Sequence, residues 1–335
     1  MSSYSEAGVD IAAADRFTES IAGKVTATWG ENVVGRFGGF AAGLTIPPGY
    51  QDPVLMMTTD GVGTKAEIAR SLGRFDGLGW DLVAMCVDDL AASAARPLGF
   101  TDYLAVGALD PVRDKALVSS VADACTAAGC ALLGGETAVH PGVMEPTQFD
   151  LAGAALGVVE RTAMVDPDRV SAGDEIVGIV SPNLRSNGFS LVRSLFSETD
   201  YQRPALGSSL GEVLLEPSVV YSPAVLDTAA RLPISGLVHV TGGGLPGNVP
   251  RALPDGLTAH LDPTRWAPAP IFGLIQDQGR LAQEDMFHTF NMGIGFALVT
   301  GPATTEAVIN LLAGHGHEAI VIGTVIAGNE VVVGV

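Results

Sequence analysis

The feature that most restricts the fold of this chain is a recurrent pairing, in which a short aliphatic run breaks directly into a glycine turn carrying a polar side chain. Residues 53–59 lead into Asp60-Gly61-Val62-Gly63-Thr64-Lys65, residues 130–133 into Gly134-Gly135-Glu136-Thr137, and residues 236–240 into Thr241-Gly242-Gly243-Gly244. Runs this short, edged by glycine, proline or aspartate, read as strands, and 100–109, 151–159, 175–180, 296–300 and 319–326 read the same way. Helices fall between them. Asp110 caps and Pro111 opens a helix over 112–128 that Gly129 closes, and 188–196 reads as another. The chain is therefore expected to be a mixed α/β protein. Its 335 residues exceed what one hydrophobic core holds, roughly 250–300 residues. The polar, turn-rich stretch 166–174 separates two apolar-patterned halves, so we expect an N-terminal domain over 1–170 and a C-terminal α/β domain over 171–335. Residues 1–50 are less regular, and Gly35 with Gly38-Gly39 reads as a loop that orders on binding.

Charge narrows the function. Lysine and arginine total 18 against 37 acidic residues, a formal net charge of −19, which repels nucleic acid and anionic membranes. A phosphorylated ligand must then be held locally. The three cysteines show no metal-type spacing and read as buried reduced thiols, and no leader opens the chain. No apolar run approaches the roughly 20 residues that span a bilayer. A soluble, cytoplasmic protein is expected.

Several segments could carry chemistry. Asp60 to Lys65 offers a carboxylate, free amides and an ammonium, which suits a phosphate site without Walker spacing; a tight turn with a solvated lysine fits the same residues. Asp81, Asp88 and Asp89 share roughly one face of a predicted helix among apolar neighbours, an arrangement that favours magnesium over solvation. Glu136 again follows a strand beside glycines. Ser186-Asn187-Gly188 and Thr241 to Gly244 each place amides at a helix start, where an anion or a cap is favoured. Gly242, Gly244 and Gly247 also fit a dinucleotide fingerprint with Asp262 twenty residues on, though Pro246 and Pro250 leave only a short helix. Asn291, between Thr289 and two glycines, opens a strand. His239 and His140 are acid-base candidates, or structural.

Taken in order, these segments resemble the phosphoribosylformylglycinamidine cyclo-ligase family, also called aminoimidazole ribonucleotide synthetase. The resemblance runs from Ala7-Gly8-Val9-Asp10 and Gly38-Gly39-Phe40 through the segments above to Gly295. It implies a two-domain α/β (α+β) fold and a homodimer whose N-terminal sheets pair into a barrel. It further implies ATP at Asp60, Gly61, Val62, Gly63, Thr64 and Lys65 with Gly134, Gly135, Glu136 and Thr137, and Mg2+ at Asp60, Asp89 and Glu136. Asp60, Lys65 and Asp89 would be catalytic. Formylglycinamidine ribonucleotide would lie against Ser186, Asn187, Gly188, Thr241, Gly242, Gly243, Gly244 and Asn291. The implied reaction is ATP-dependent ring closure to 5-aminoimidazole ribonucleotide, an enzyme of purine biosynthesis. The chain departs from the family pattern where Arg185 stands for a histidine, at Gly30-Glu31-Asn32-Val33, and at Glu216-Pro217-Ser218-Val219-Val220-Tyr221. A divergent ATP-dependent phosphotransferase, akin to selenophosphate or thiamine-phosphate kinases, and a non-catalytic nucleotide-binding paralogue are the competing expectations.

Overall fold

The computed structural model describes residues 10–334, so Ala7, Gly8 and Val9 lie outside the described residues. Asp10 opens helix α1 (Ile11–Thr26) by accepting from the Ala13 amide at 3.1 Å. The irregular reading of residues 1–50 does not anticipate this helix. Its buried stripe is only Phe17 and Val25, too sparse to stand out against its polar residues.

The first domain continues with a short antiparallel pair, β1 (Val33–Val34) and β2 (Gly43–Leu44). There follow β3 (Pro53–Gly61), α2 (Lys65–Leu72), α3 (Leu78–Ala92), β4 (Arg96–Val106), α4 (Pro111–Ala128), β5 (Ala131–Val139) and β6 (Phe149–Glu160). The last four strands form one sheet in the order β3-β6-β4-β5, antiparallel except for β4 with β5. Helix α4 starts and stops where its caps predict: Asp110 accepts from the Val112 and Arg113 amides, and Gly129 ends it at φ +69°. Helices α3 and α4 cover one face of the sheet. The other face leaves Leu55, Met57 and Tyr103 exposed at 53%, 75% and 44%.

Two strands outrun their predicted ends. Asp60 lies inside β3, paired with Gly153, and Gly134 to Thr137 lie inside β5 rather than after it. Neighbouring strands supply the ladder bonds that let glycine stay extended. Gly135 is also required by space, since a Cβ there would fall 2.2 Å from Asp102 Oδ1 on β4.

The second domain holds β7 (Glu175–Val180), α5 (Phe189–Leu195), β8 (Pro204–Ala205), β9 (Ser208–Ser209), α6 (Leu210–Leu214), α7 (Ser222–Arg231), β10 (Ile234–His239) and α8 (Gly244–Asn248). It ends with β11 (Leu257–Leu261), α9 (Pro270–Gly279), α10 (Gln283–Thr289), β12 (Ile294–Thr300), α11 (Thr305–Gly314), β13 (Ala319–Ala327) and β14 (Val332–Val333). Six strands form one sheet, β10-β12-β7-β13-β11-β14, antiparallel apart from β11 with β14. This topology overturns the dinucleotide reading. Strand β10 pairs antiparallel with β12, its glycines lead into a five-residue helix, and Asp262 caps Thr264 and pairs with Arg265 at 3.2 Å. Helix α3 is buried almost throughout because it lies between its own sheet and α7 and β10 of the second domain. That sandwiching explains a helix whose apolar residues are not confined to one stripe.

Candidate active site between the domains

Sequence spacing gathers Asp81, Asp88 and Asp89 around one cation; the fold separates them. Asp81 is fully buried, with Oδ2 at 2.7 Å from Lys65 Nζ and Oδ1 accepting the Ser218 amide at 3.0 Å and hydroxyl at 2.6 Å. Asp88, equally buried, meets Arg185 Nη2 at 2.7 Å and accepts the Tyr221 and Ser222 amides at 2.9 and 2.8 Å. Arg185 also donates to the Gly295 carbonyl at 3.0 Å and lies 4.8 Å over the Tyr221 ring, with φ at +60°. Buried carboxylates need a cation and donors to offset lost hydration, and here the second domain supplies most of them. Asp81 and Asp88 are joints between domains. Arg185, Ser218 and Tyr221, which depart from the family pattern or lie in a departing segment, serve that joint.

Lys65 requires the same correction. Its ammonium is buried and donates to the carbonyls of Arg185 at 3.1 Å and Glu216 at 2.9 Å, so it does not face a phosphate. Burial pushes its pKa down and Asp81 opposes the fall.

Asp89 turns the other way around α3. Its Oδ1 lies 2.8 Å from His239 Nδ1, and its Oδ2 accepts from the Thr58 hydroxyl at 3.4 Å. Desolvation works against its charge, but the hydrogen bond and charge of His239 outweigh it and hold the carboxyl below the ordinary range. Asp60 accepts the Gly61 amide at 2.7 Å and is pushed up, by desolvation first and also by the charge of Asp89. Two adjoining carboxyls with opposed shifts make a seat that a hard divalent cation would relieve. His239 is stacked 5.9 Å from Phe296, and its Nε2 has no partner among the described residues. Thr58, Asp89 and His239 border a cleft of about 310 Å³ that Asn248 and Arg251 complete, with Asp60 beside Asp89 and two residues past Thr58 along β3. Sequence reasoning missed Arg251, although basic residues are scarce and this one closes the glycine segment.

The turns that carry the other predicted contacts meet one another, and Asn248 links the third of them to the cleft. Thr64 Oγ1 and Ser190 Oγ lie 3.2 Å apart, and a Cβ on Gly242 would sit 3.5 Å from Asn187 Oδ1, so the turns after β3, before α5 and after β10 meet at one rim. Asn248 threads the third turn by donating to the carbonyls of Thr241, Gly242 and Gly244. Gly188 and Gly244 answer first to packing: a Cβ would fall 2.2 Å from the Phe290 ring and 1.8 Å from the Phe287 carbonyl. Asn291 is no ligand contact here. It is buried, donates to the Asn183 carbonyl at 2.9 Å and accepts the Gly293 amide at 2.8 Å.

Glu136 stands apart from the two aspartates. It shares a sheet row with Tyr103, Ala152 and Gly61, three strand spacings or roughly 14 Å from the end of β3. Among the described residues no three His, Cys, Asp or Glu side chains are grouped to hold a metal, so the set Asp60, Asp89 and Glu136 is not assembled. Gly134 to Thr137 instead line a second cleft, of about 610 Å³, between β5, α1 and the turn at 36–40.

The two-sheet architecture and this interdomain cleft define an AIR synthase related protein. Residues 41–159 match the N-terminal domain of that class and residues 171–335 its C-terminal domain. Over 335 residues the chain is 46% identical to phosphoribosylformylglycinamidine cyclo-ligase of Thermosynechococcus vestitus, covering 99% of this chain and 98% of the relative. It is 44% identical to the protein of that name in Anaeromyxobacter dehalogenans, covering 97% and 96%. The chain belongs to the phosphoribosylformylglycinamidine cyclo-ligase family. Solved structures share the fold at lower identity. Thiamine-monophosphate kinase from Stenotrophomonas maltophilia superposes with a TM-score of 0.70 at 21% identity over 94% of this chain and 95% of the kinase. The hydrogenase maturation protein HypE in complex with ATP gives 0.67 at 20%, over 94% and 87%. Among the described residues no helix is long and apolar enough to cross a membrane.

Proposed function

We infer that this protein is an ATP-dependent cyclo-ligase that converts formylglycinamidine ribonucleotide into 5-aminoimidazole ribonucleotide, releasing ADP and phosphate, in purine biosynthesis. The observation that carries the inference is family membership across nearly the whole length of both chains. The meeting of both domains at the Asp89–His239 cleft, with Asp60 beside it, supports it. ATP use is in keeping with a structural relative solved with ATP.

The donor set fits Mg2+, which is commonly held by one or two carboxylates with phosphate oxygens and waters completing its shell. Asp60 and Asp89 would hold it, and it would offset polyphosphate charge. The chain's own groups do the rest. The Ala66 and Glu67 amides at the start of α2 already bond the Gly63 and Thr64 carbonyls, so it is the glycine turn before them that would offer amides to an anion. Arg251 adds a cation at the far wall. His239, buried against Phe296 and bonded to Asp89 through Nδ1, would fix that carboxylate's orientation toward the ligand. Positioning and water exclusion carry most of such a reaction.

A homodimer joined through the N-terminal sheets is part of the proposal, supported by the exposed Leu55, Met57 and Tyr103 face. A cytoplasmic location is too, in keeping with three free buried cysteines. Incubation with formylglycinamidine ribonucleotide, ATP and Mg2+ should yield ADP and the aminoimidazole in equal amounts. ADP release without the imidazole would defeat the substrate assignment and favour a phosphotransferase.

A further inference from the structure

Asp102 has no part in the cleft just described, yet it is an unusual residue. It sits mid-strand in β4 opposite Gly135, with its carboxyl laid over the bare Cα of that glycine. It is 8% exposed. The only hydrogen bond that favours its charge comes from its own backbone amide, and burial lifts it to about 7. Its accessible part opens into the 610 Å³ cleft beside α1, whose lining combines apolar side chains, among them Phe17, Ile21, Leu109, Leu133 and Val139, with a few polar ones.

A buried carboxyl with no side-chain partner is costly, so a ligand that supplies one is favoured. The apolar part of the lining suits the faces of a planar unsaturated group. A carboxyl itself suits a planar N–C–N edge, because its two oxygens lie at the spacing of two neighbouring nitrogen positions. We propose that Asp102 is a recognition residue for an amidine-type N–C–N edge bound in the cleft beside α1, a proposal that rests on the cyclo-ligase reading. Both substrates of that reaction carry the edge. Adenine presents an amino group beside a ring nitrogen, which calls for one donor and one acceptor and is met by the protonated acid. The amidine of the ribonucleotide presents two N–H groups and is met by the carboxylate. A triphosphate is the wrong occupant, since Asp15 and Glu136 also line the cleft with Arg36 as its one basic side chain among the described residues.

The full-length variants Asp102→Ala and Asp102→Asn separate the two sources. Calorimetry with Mg2+ and ATP alone gives nucleotide affinity, and steady-state rates at saturating ATP give KM for formylglycinamidine ribonucleotide. The proposal expects Asp102→Ala to weaken one ligand by about tenfold or more while the other stays within about threefold. If ATP is the weakened ligand, Asn restores most of the affinity, because an amide keeps one donor and one acceptor. If it is the ribonucleotide, Asn does not. Unchanged binding of both ligands overturns the proposal. So does equal weakening of both with a lowered Tm in both variants, which would make Asp102 a structural residue. Failure of the unaltered protein to bind ATP would be a separate result, bringing down the cyclo-ligase reading and this proposal with it.

Discussion

Replacing Arg185 by methionine tests the interdomain joint. The guanidinium is buried, pairs with Asp88 at 2.7 Å, donates to the Gly295 carbonyl at 3.0 Å and covers Tyr221. Removing one partner of a buried pair costs about 3–5 kcal/mol, because the other charge stays behind. Asp88 keeps the Tyr221 and Ser222 amides, which places the expected loss near the lower end, about 3 kcal/mol. Methionine inherits the left-handed backbone at this position, so no strain is relieved to offset the loss. Urea titration followed by tryptophan fluorescence reads both domains, since Trp29 and Trp80 lie in the first and Trp266 in the second. Adding Asp88→Asn to the variant removes the stranded charge and should recover about 1–2 kcal/mol, leaving a clear coupling in the double-mutant cycle. A loss below about 1 kcal/mol, or strictly additive single changes, would refute the claim that this pair joins the domains.

Lys65→Met should likewise destabilise the fold by about 3 kcal/mol, with ATP affinity changed little, because the ammonium meets Asp81 and two second-domain carbonyls. A selective loss of ATP affinity at normal stability would return Lys65 to the phosphate site. Burial lifts Asp102 to about 7 from an ordinary 3.8, so between those values the folded protein keeps a proton that the unfolded chain has released. The stability held by the protonated form is complete below about pH 4, declines as pH rises through 7 and is gone above it; Asp102→Asn should gain on the unaltered protein by up to about 4 kcal/mol across that window. Parallel stability–pH curves would contradict the shift. Asp262→Asn should leave nucleotide binding unchanged, and NAD should not raise the Tm as ATP does, because Asp262 only caps and pairs locally; an NAD-induced rise abolished by that substitution would revive the dinucleotide reading.

The local elements were legible where local chemistry decides them. Asp110 and Gly129 mark both ends of α4, and the aliphatic runs mark the four strands of the first sheet and β7, β10, β12 and β13 of the second, while β11 and the two-residue β14 went unmarked. Helix α1 was not, because too few of its residues are buried to impose a period. The candidate site was legible as a set of segments and not as contacts. Spacing along α3 shows that three aspartates lie near one face, but the partners that claim Asp81 and Asp88 come from the second domain. Lys65 is buried by carbonyls 120 and 151 residues away, which no local pattern announces. Glu136 resembles Asp60 as a carboxylate beside glycines, and only the strand order places three strand spacings between them. Asn248, Arg251 and Asp102 acquire roles through neighbours that lie far off in sequence.

The central claim is that Asp60 and Asp89, adjoining carboxyls beside the interdomain cleft, form the metal-assisted nucleotide seat. The most direct measurement is ATP affinity by calorimetry as a function of Mg2+ concentration, for the unaltered protein, Asp60→Asn and Asp89→Asn. The account predicts that Mg2+ strengthens ATP binding in the unaltered protein and that each variant loses about tenfold or more of that Mg2+-dependent affinity, while Tm moves little. Unchanged Mg2+-dependent affinity in both variants would contradict it.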